Sequence, residues 1–295
     1  MSNNSLLLGI TGFNGFIGNA VGEAMARQGH SILSLDPWVR KPTLNKNPVS
    51  GHLDWIFHFG AKTSIAQSHK DPTGTYKSNL ESTLRALEIA RQQQAKFLYL
   101  SSYIYGKPHY LPVDEDHEIQ VTNPYMGSKY LCEQLCRQVC KFFGVPLCIL
   151  RPFNIYGLAF KEGRLFSDLL LAFNERKPLV LNDPDPRRDY LYIKDFITLL
   201  EKIVYADEII EGIFNVGSGQ SHSNREIVNI FNSLTERPVE VITNTQPRPN
   251  DILECVADAS KAIEAFTWKP HYTLEQGISE VIMNNTIKTK VHLNS

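Results

Sequence analysis

The sequence has almost no net charge: 30 Lys and Arg stand against 31 Asp and Glu, a formal balance of −1 over 295 residues. A chain so balanced has no long-range field, which argues against nucleic acid or an anionic membrane surface as a partner. No apolar run approaches the ~20 residues that a membrane span requires. The N-terminal residues carry neither a basic stretch nor a long apolar one, so no signal peptide is expected and the predicted location is cytoplasmic. Cysteine is sparse, five in all. Cys132, Cys136 and Cys140 recur every four residues and so share one side of a helix. No His or further Cys sits at ligand spacing, and zinc wants four donors. These thiols therefore read as small apolar residues on a packed face, and no metal is expected. Repeats and low-complexity segments are absent too. What remains is an ordinary globular composition, 42% hydrophobic and 21% charged, long enough for one large domain or two smaller ones.

Against that plain background one stretch stands out. Leu6–Gly18, LLLGITGFNGFIG, begins as an apolar run of strand length, turns on Gly12, Gly15 and Gly18, and continues into helical composition over Asn19–Gln28. A strand feeding a helix through spaced glycines aims backbone N–H groups and the positive helix end at one point, where a pyrophosphate can sit. The spacing is G-x-x-G-x-x-G rather than G-x-G-x-x-G. Ser31–Asp36 reads as a second buried strand ending in an acid, 18 positions beyond Gly18. That is close to the ~20 at which a carboxylate accepts from the adenosine ribose hydroxyls. A carboxylate there repels a 2′-phosphate, which favours NAD over NADP.

The rest of the chain continues the alternation. Trp38–Leu53 is rich in Pro and Asn and reads as loop. Trp55–Phe59, Lys96–Leu100 and Pro146–Leu150 read as strands; a helix follows Asp71-Pro72 to Gln93, and another spans Tyr125 to about Phe143. Nearly continuous apolar strands alternating with helices predict an α/β fold, a Rossmann-like doubly wound parallel sheet covered on both faces. Ligands of such sheets bind at the carboxyl ends of the strands, which gathers Gly12, Asp36, Gly60, Ala61, Ser101 and the stretch 151–154. Past Gly157 the pattern loosens: helices are expected over 161–177, 189–204 and 224–234, strands over 178–182 and 213–216, a turn over 183–188, and a mixed tail in which Pro270 breaks two helical stretches. The predicted division is a dinucleotide-binding domain of 1–157 with a returning segment at about 189–217, and a smaller α+β substrate-binding region of 158–188 and 218–295.

Tyr125 and Lys129 are four apart at a helix start and share a face. A phenol with pKa near 10 is a poor base at neutral pH. An ammonium one turn away, with a cationic nicotinamide beside it, brings that pKa toward the working range. Ser101, at the end of a neighbouring strand, is placed to hold the substrate oxygen whose proton moves.

With these residues in this order, the chain resembles an extended short-chain dehydrogenase/reductase of the nucleotide-sugar epimerase/dehydratase branch. The matching pieces are TGFNGFIG (11–18), HFGA (58–61), SSYIYG (101–106), NPYMGSK (123–129), LRPFNIYG (150–157), RRDYLYIKD (187–195), FNVGSGQ (214–220) and RPND (248–251). The resemblance implies Tyr125 as general acid/base, Lys129 as its pKa-lowering partner, and Ser101 as the catalytic hydroxyl with Ser102 its nearest rival. It implies cofactor contacts from Gly12, Gly15, Phe16, Ile17, Gly18, Asp36, Phe59, Gly60, Ala61 and Pro152, besides Tyr125 and Lys129. It implies that Asn154, Arg188 and Arg248 hold the diphosphate of a nucleotide-diphosphate sugar, and that two copies pair through the 79–93 and 125–143 helices as a homodimer.

Three departures from the family pattern bear on function. Only 18 residues, 37 to 54, separate the Asp36 strand from the next, too few for the elements the family places there. Ser102 and Tyr103 stand where family dehydratases carry an Asp-Glu pair, which argues against elimination of a C6 hydroxyl. After Gly157 the chain runs Leu-Ala-Phe instead of the commoner Pro-Gly. The reading is an NAD-dependent nucleotide-sugar 4-epimerase. Its alternative is a reductase of a 4-keto-6-deoxy nucleotide sugar using NAD(P)H, and a remote third is a non-catalytic dinucleotide-binding module.

Overall fold

The apolar runs become strands in a computed structural model of the protein, which describes residues 5–39, 51–157, 164–206, 208–244 and 252–293. In chain order the first half forms β1 (Leu7–Thr11), α1 (Phe16–Arg27), β2 (Ser31–Ser34), α2 (Asp36–Val39), β3 (Trp55–His58), α3 (Ile65–Lys70), α4 (Pro72–Gln93), β4 (Lys96–Leu100), α5 (Pro124–Phe143) and β5 (Leu147–Pro152). The second half forms β6 (Asn154–Tyr156), α6 (Leu165–Glu175), β7 (Leu179–Asn182), β8 (Arg187–Tyr192), α7 (Ile193–Val204), β9 (Gly212–Val216), β10 (Ser221–Ser223) and α8 (Asn224–Ser233). It ends with β11 (Val241–Asn244), β12 (Glu254–Cys255), α9 (Ser260–Phe266) and α10 (Leu274–Leu293).

Among the described residues, six parallel strands make one sheet in the order β2-β1-β3-β4-β5-β9. The central strands β1, β3, β4 and β5 are buried along nearly their whole length because both faces are covered. Along β4, Phe97 and Tyr99 pack with α4 and α5 (Ala86, Leu87, Cys132, Cys136), whereas Leu98 and Leu100 point to the opposite face. There they join Val21 and Met25 of α1 and Phe196 and Leu199 of α7. Alternation along a strand sends successive side chains to opposite layers, and burying a ring such as Phe97 stabilises by about 1.5–3 kcal/mol. The cysteine row of α5 lies on the sheet side, buried, while Leu131 of the same helix is exposed.

The strand order reverses at β1, which has β2 on one side and β3 on the other. A crevice opens above such a switch point at the carboxyl ends of the strands. The helices flanking it start where the sequence signals them: the Asp71 side chain accepts from Gly74 N–H ahead of α4, and Asn123 accepts from Met126 N–H ahead of α5, each with Pro in the first turn.

The largest difference from the sequence reading is at 183–204. The expected turn over 183–188 and helix over 189–204 give way to strand β8 from Arg187 to Tyr192, with α7 starting only at Ile193. Tyr190, Leu191 and Tyr192 carry strand propensity, and β8 is fixed by pairing with β6, β10 and β12, partners that local sequence does not show. Asp36, read as the end of a strand, opens α2 instead. Among the described residues no helix is long and apolar enough to cross a membrane.

Candidate active site

Two glycine-bearing turns meet at the crevice. Gly12 follows β1 with φ +69°, and a Cβ there would lie 2.7 Å from the Gly60 nitrogen. A Cβ on Gly18 would lie 2.1 Å from the Gly12 carbonyl oxygen, so α1 packs directly on the turn. Gly15 is the N-cap of α1 and no side chain caps that helix, leaving first-turn N–H groups aimed at the crevice. Asp36 accepts from the Gly12 N–H through Oδ1 at 2.5 Å. Its Oδ2 is buried without a partner among the described residues. An anion-binding turn and a buried carboxylate oxygen still owed a donor are what a dinucleotide's phosphates and ribose hydroxyls would use. The residues present fit NAD. Phe16, at the start of α1, is brought against the 151–157 segment: a Cβ on Gly157 would lie 3.1 Å from its ring. Ile17 follows it, half-buried, on the same first turn. Phe59 is tilted against Phe57 and edge-on to Phe196, Ala61 is half-buried beyond Gly60, and Pro152 is buried at the end of β5.

Tyr125 is the second residue of α5 and half-buried. Burial raises its phenol above the ordinary tyrosine value; a hydrogen bond with Ser102 and the charge of Arg164 pull it back down. The structure thus brings Ser102 to the phenol, while Ser101 Oγ is buried beside it with no partner among the described residues. Lys129 is one turn further along. Its Nζ donates to the Leu100 carbonyl at 2.6 Å and lies 4.3 Å from the centre of the Tyr99 ring. Burial pulls its pKa down to about 8. The ammonium expected to act on the phenol is here turned toward the end of β4, at the same edge of the sheet.

Two of the diphosphate candidates lie on the paired strands β6 and β8. Asn154 is exposed and donates to the Asp189 carbonyl at 2.9 Å. Arg188, on β8, donates to the Ile252 carbonyl at 2.5 Å and its charge reaches Tyr103 and Tyr190. It is not held by Asp189, whose carboxylate accepts instead from the N–H groups of Ser218, Gly219 and Ala257. The neighbouring Arg187 is committed to Glu226 at 2.6 Å. Arg248 lies outside the described residues.

Sequence reasoning missed Arg164 and His58. Arg164 sits 39 positions past the tyrosine whose titration it affects, with no motif around it. His58 is 1% exposed, and burial, followed by the Lys129 charge, takes its pKa down to about 3. The unfolded chain binds a proton as pH falls below about 6.5, whereas the folded protein resists until about 3. Folding stability from this group is full above pH 6.5 and falls across that window, with a slope of up to about 1.4 kcal/mol per pH unit. His58→Phe removes the proton site. The difference in urea midpoint between pH 7 and pH 5 is expected to be smaller in that variant than in wild type.

Comparison with known proteins adds four findings. The family model described as NAD dependent epimerase/dehydratase family matches residues 8–217. The chain is 27% identical over 313 residues to a putative UDP-glucose 4-epimerase of Methanocaldococcus jannaschii, covering 95% of this chain and 99% of that one. It is 26% identical to a GDP-6-deoxy-D-mannose reductase of Pseudomonas aeruginosa, covering 92% and 95%. Among solved structures, RMD from Pseudomonas aeruginosa complexed with NADPH superposes with a TM-score of 0.88 at 23% identity, covering 96% of this chain and all of that one. That likeness speaks to the fold.

Proposed function

The chain belongs to the NAD dependent epimerase/dehydratase family, and from that premise we propose that it is an NAD-dependent nucleotide-sugar 4-epimerase. The observation that supports the proposal most is that Gly12, Gly60, Ser101 and Ser102 follow the carboxyl ends of β1, β3 and β4 in one parallel sheet, with Ser102 acting on the Tyr125 phenol. Bound NAD supplies a hydride acceptor and donor at the sugar's C4. The phenol oxygen of Tyr125 takes the proton of the C4 hydroxyl and later returns it. Ser102, already bonded to the phenol, relays or steadies that proton, and the free hydroxyl of Ser101 holds the sugar oxygen. Lys129 holds the end of β4 through the Leu100 carbonyl, and the cation that favours the phenolate is Arg164. Arg188 and Asn154, with Arg248, hold the diphosphate; a guanidinium suits that geometry. In this reading residues 1–157 and the returning 189–217 hold the cofactor, and 158–188 with 218–295 hold the sugar nucleotide.

Support comes from Asp36, whose carboxylate repels a 2′-phosphate, since a cycle that returns its hydride suits retained NAD. The similarity to the Pseudomonas aeruginosa reductase favours a second reading, a one-way reductase of a 4-keto-6-deoxy nucleotide sugar. One assay separates the two. Purified protein incubated with UDP-glucose and a panel of GDP-, dTDP- and CDP-sugars, without added reductant, is expected to interconvert C4 epimers. Net loss of NAD(P)H with a 4-keto sugar, and no interconversion, would replace the epimerase by the reductase.

The family resemblance also supports a homodimer. Helices α4 and α5 pack side by side, yet Leu84 and Leu131 on them remain 48% and 46% exposed. A second copy laid on this face would cover both. Light scattering is expected to give twice the chain mass, and the pair Leu84→Glu and Leu131→Glu to give a monomer.

A further inference from the structure

We propose that His58 is a positioning residue whose imidazole, protonated on Nε2 alone, ties the nucleotide cradle to the helical turn that carries Tyr125. The inference rests on the cofactor reading above and goes beyond it. It concerns how the two halves of the site are held in register.

The chain of bonds can be followed atom by atom. The Gly60 N–H donates to Thr11 Oγ1 at 3.0 Å, and Thr11 Oγ1 lies 2.7 Å from His58 Nδ1. On the other side of the ring, His58 Nε2 lies 3.0 Å from Thr83 Oγ1, which donates its hydrogen to the Asn79 carbonyl at 2.8 Å. The Asn79 side chain accepts from the Lys62 N–H at 2.7 Å and donates to Ser128 Oγ at 2.8 Å; Ser128 donates to the Tyr125 carbonyl at 2.7 Å. The path thus runs from the Gly12–Gly60 contact to the first turn of α5.

Hydrogen counting fixes the tautomer. Thr83 spends its one hydrogen on Asn79, so it accepts from Nε2–H. Nδ1 is then bare and accepts the Thr11 hydroxyl, which in turn accepts from Gly60. The opposite tautomer leaves the Thr11 hydroxyl hydrogen without an acceptor at a residue that is 0% exposed, a costly arrangement. The ring stacks on Tyr99 at 5.7 Å and is tilted to Phe97 at 5.9 Å, and the Lys129 ammonium sits on that same tyrosine ring. A second cation at His58 would face it, so the relay has one stable protonation state. Thr11 and His58 are paired across β1 and β3, which places the histidine under the turn at Gly12.

Two variants separate the two ends of the relay. An Asn side chain can offer its oxygen where Nδ1 sits and lacks reach to Thr83; a Gln side chain can offer its nitrogen where Nε2 sits and leaves Thr11 without an acceptor. NAD affinity is measured by calorimetry or fluorescence on protein stripped of nucleotide, alongside melting temperature. His58→Phe and His58→Gln are expected to weaken NAD binding about tenfold, the loss of roughly one buried hydrogen bond. His58→Asn is expected to stay within about threefold of wild type, although all three lose thermal stability. Thr11→Val is expected to match His58→Phe, and the two together to be no worse than either, because both cut one path. Imidazole nitrogen NMR of the wild type is expected to show one neutral histidine with bare Nδ1 and protonated Nε2, unchanged between about pH 5 and pH 8. A proton on Nδ1, or His58→Phe and His58→Gln binding NAD within twofold of wild type, would overturn the proposal. Wild type that binds no NAD(H) would overturn the cofactor reading itself and this inference with it.

Discussion

Tyr125→Phe is expected to lower kcat by about 10²–10⁴-fold, the range carried by a positioned general acid/base, with little change in KM or in NAD affinity. The substitution removes one oxygen and keeps the ring. The phenol is half-buried at the start of α5 and bonded to Ser102, so fold and cradle are left intact. A loss confined to kcat marks an interaction made in the transition state and not in the ground state. The companion Ser102→Ala and Ser101→Ala separate the two hydroxyls. Ser102 touches the phenol, and its loss is expected to raise the apparent pKa governing the pH–rate profile, because the hydrogen bond that lowers the phenol's pKa is gone. Ser101 does not, and its loss is expected to lower kcat without moving that pKa. Turnover of Tyr125→Phe within a few-fold of wild type would remove the tyrosine from the mechanism.

The second large effect is on stability and lies one turn beyond Lys129. Glu133 and Arg151 form a buried, two-pronged ion pair, Nε to Oε1 at 3.0 Å and Nη2 to Oε2 at 2.7 Å, with 0% and 4% side-chain exposure. Burial works against the arginine's charge; the bonds and charge of Glu133 outweigh it, and its pKa goes up. Arg151 also donates to the Tyr105 hydroxyl at 2.9 Å, and Tyr105 to Asn215 Oδ1 at 2.6 Å. The pair therefore ties α5, β5 and β9 together beneath the site. Glu133→Ala strands a guanidinium where water cannot reach it, and such breaks cost about 3–5 kcal/mol. Against a typical total of about 5–15 kcal/mol that is a large fraction. Urea denaturation of Glu133→Ala is expected to show a midpoint shifted by this amount, whereas Glu133→Leu with Arg151→Met is expected to regain most of it, since a buried apolar pair avoids the desolvation cost. Equal stability of Glu133→Ala and wild type would mean that water reaches the guanidinium.

What was legible in the sequence depended on range. The glycine turn, the apolar strands and the caps at Asp71 and Asn123 were readable because each is decided within a few residues. So was the shared face of Tyr125 and Lys129, which follows from helix pitch alone. Strand β8 was misread as turn and helix because its state is fixed by β6, β10 and β12, not by its neighbours in the chain. Which of Ser101 and Ser102 lies against the Tyr125 phenol was equally hidden. Adjacent residues past a strand end point to different sides, and only the position of α5 selects which one meets the phenol.

By itself, then, the sequence determined a doubly wound α/β chain with a glycine turn after its first strand, an acid just past the second and a tyrosine and a lysine on one helix face, because short-range sterics and periodicity dictate those features. Only the tertiary structure decided that Lys129 is drawn to the Leu100 carbonyl, that Arg188 reaches the Ile252 carbonyl, and that His58 lies between Thr11 and Thr83, 47 and 25 positions away. Those choices are made where desolvation forces every buried polar group to find a partner, and the partner within reach is set by how strands and helices stack.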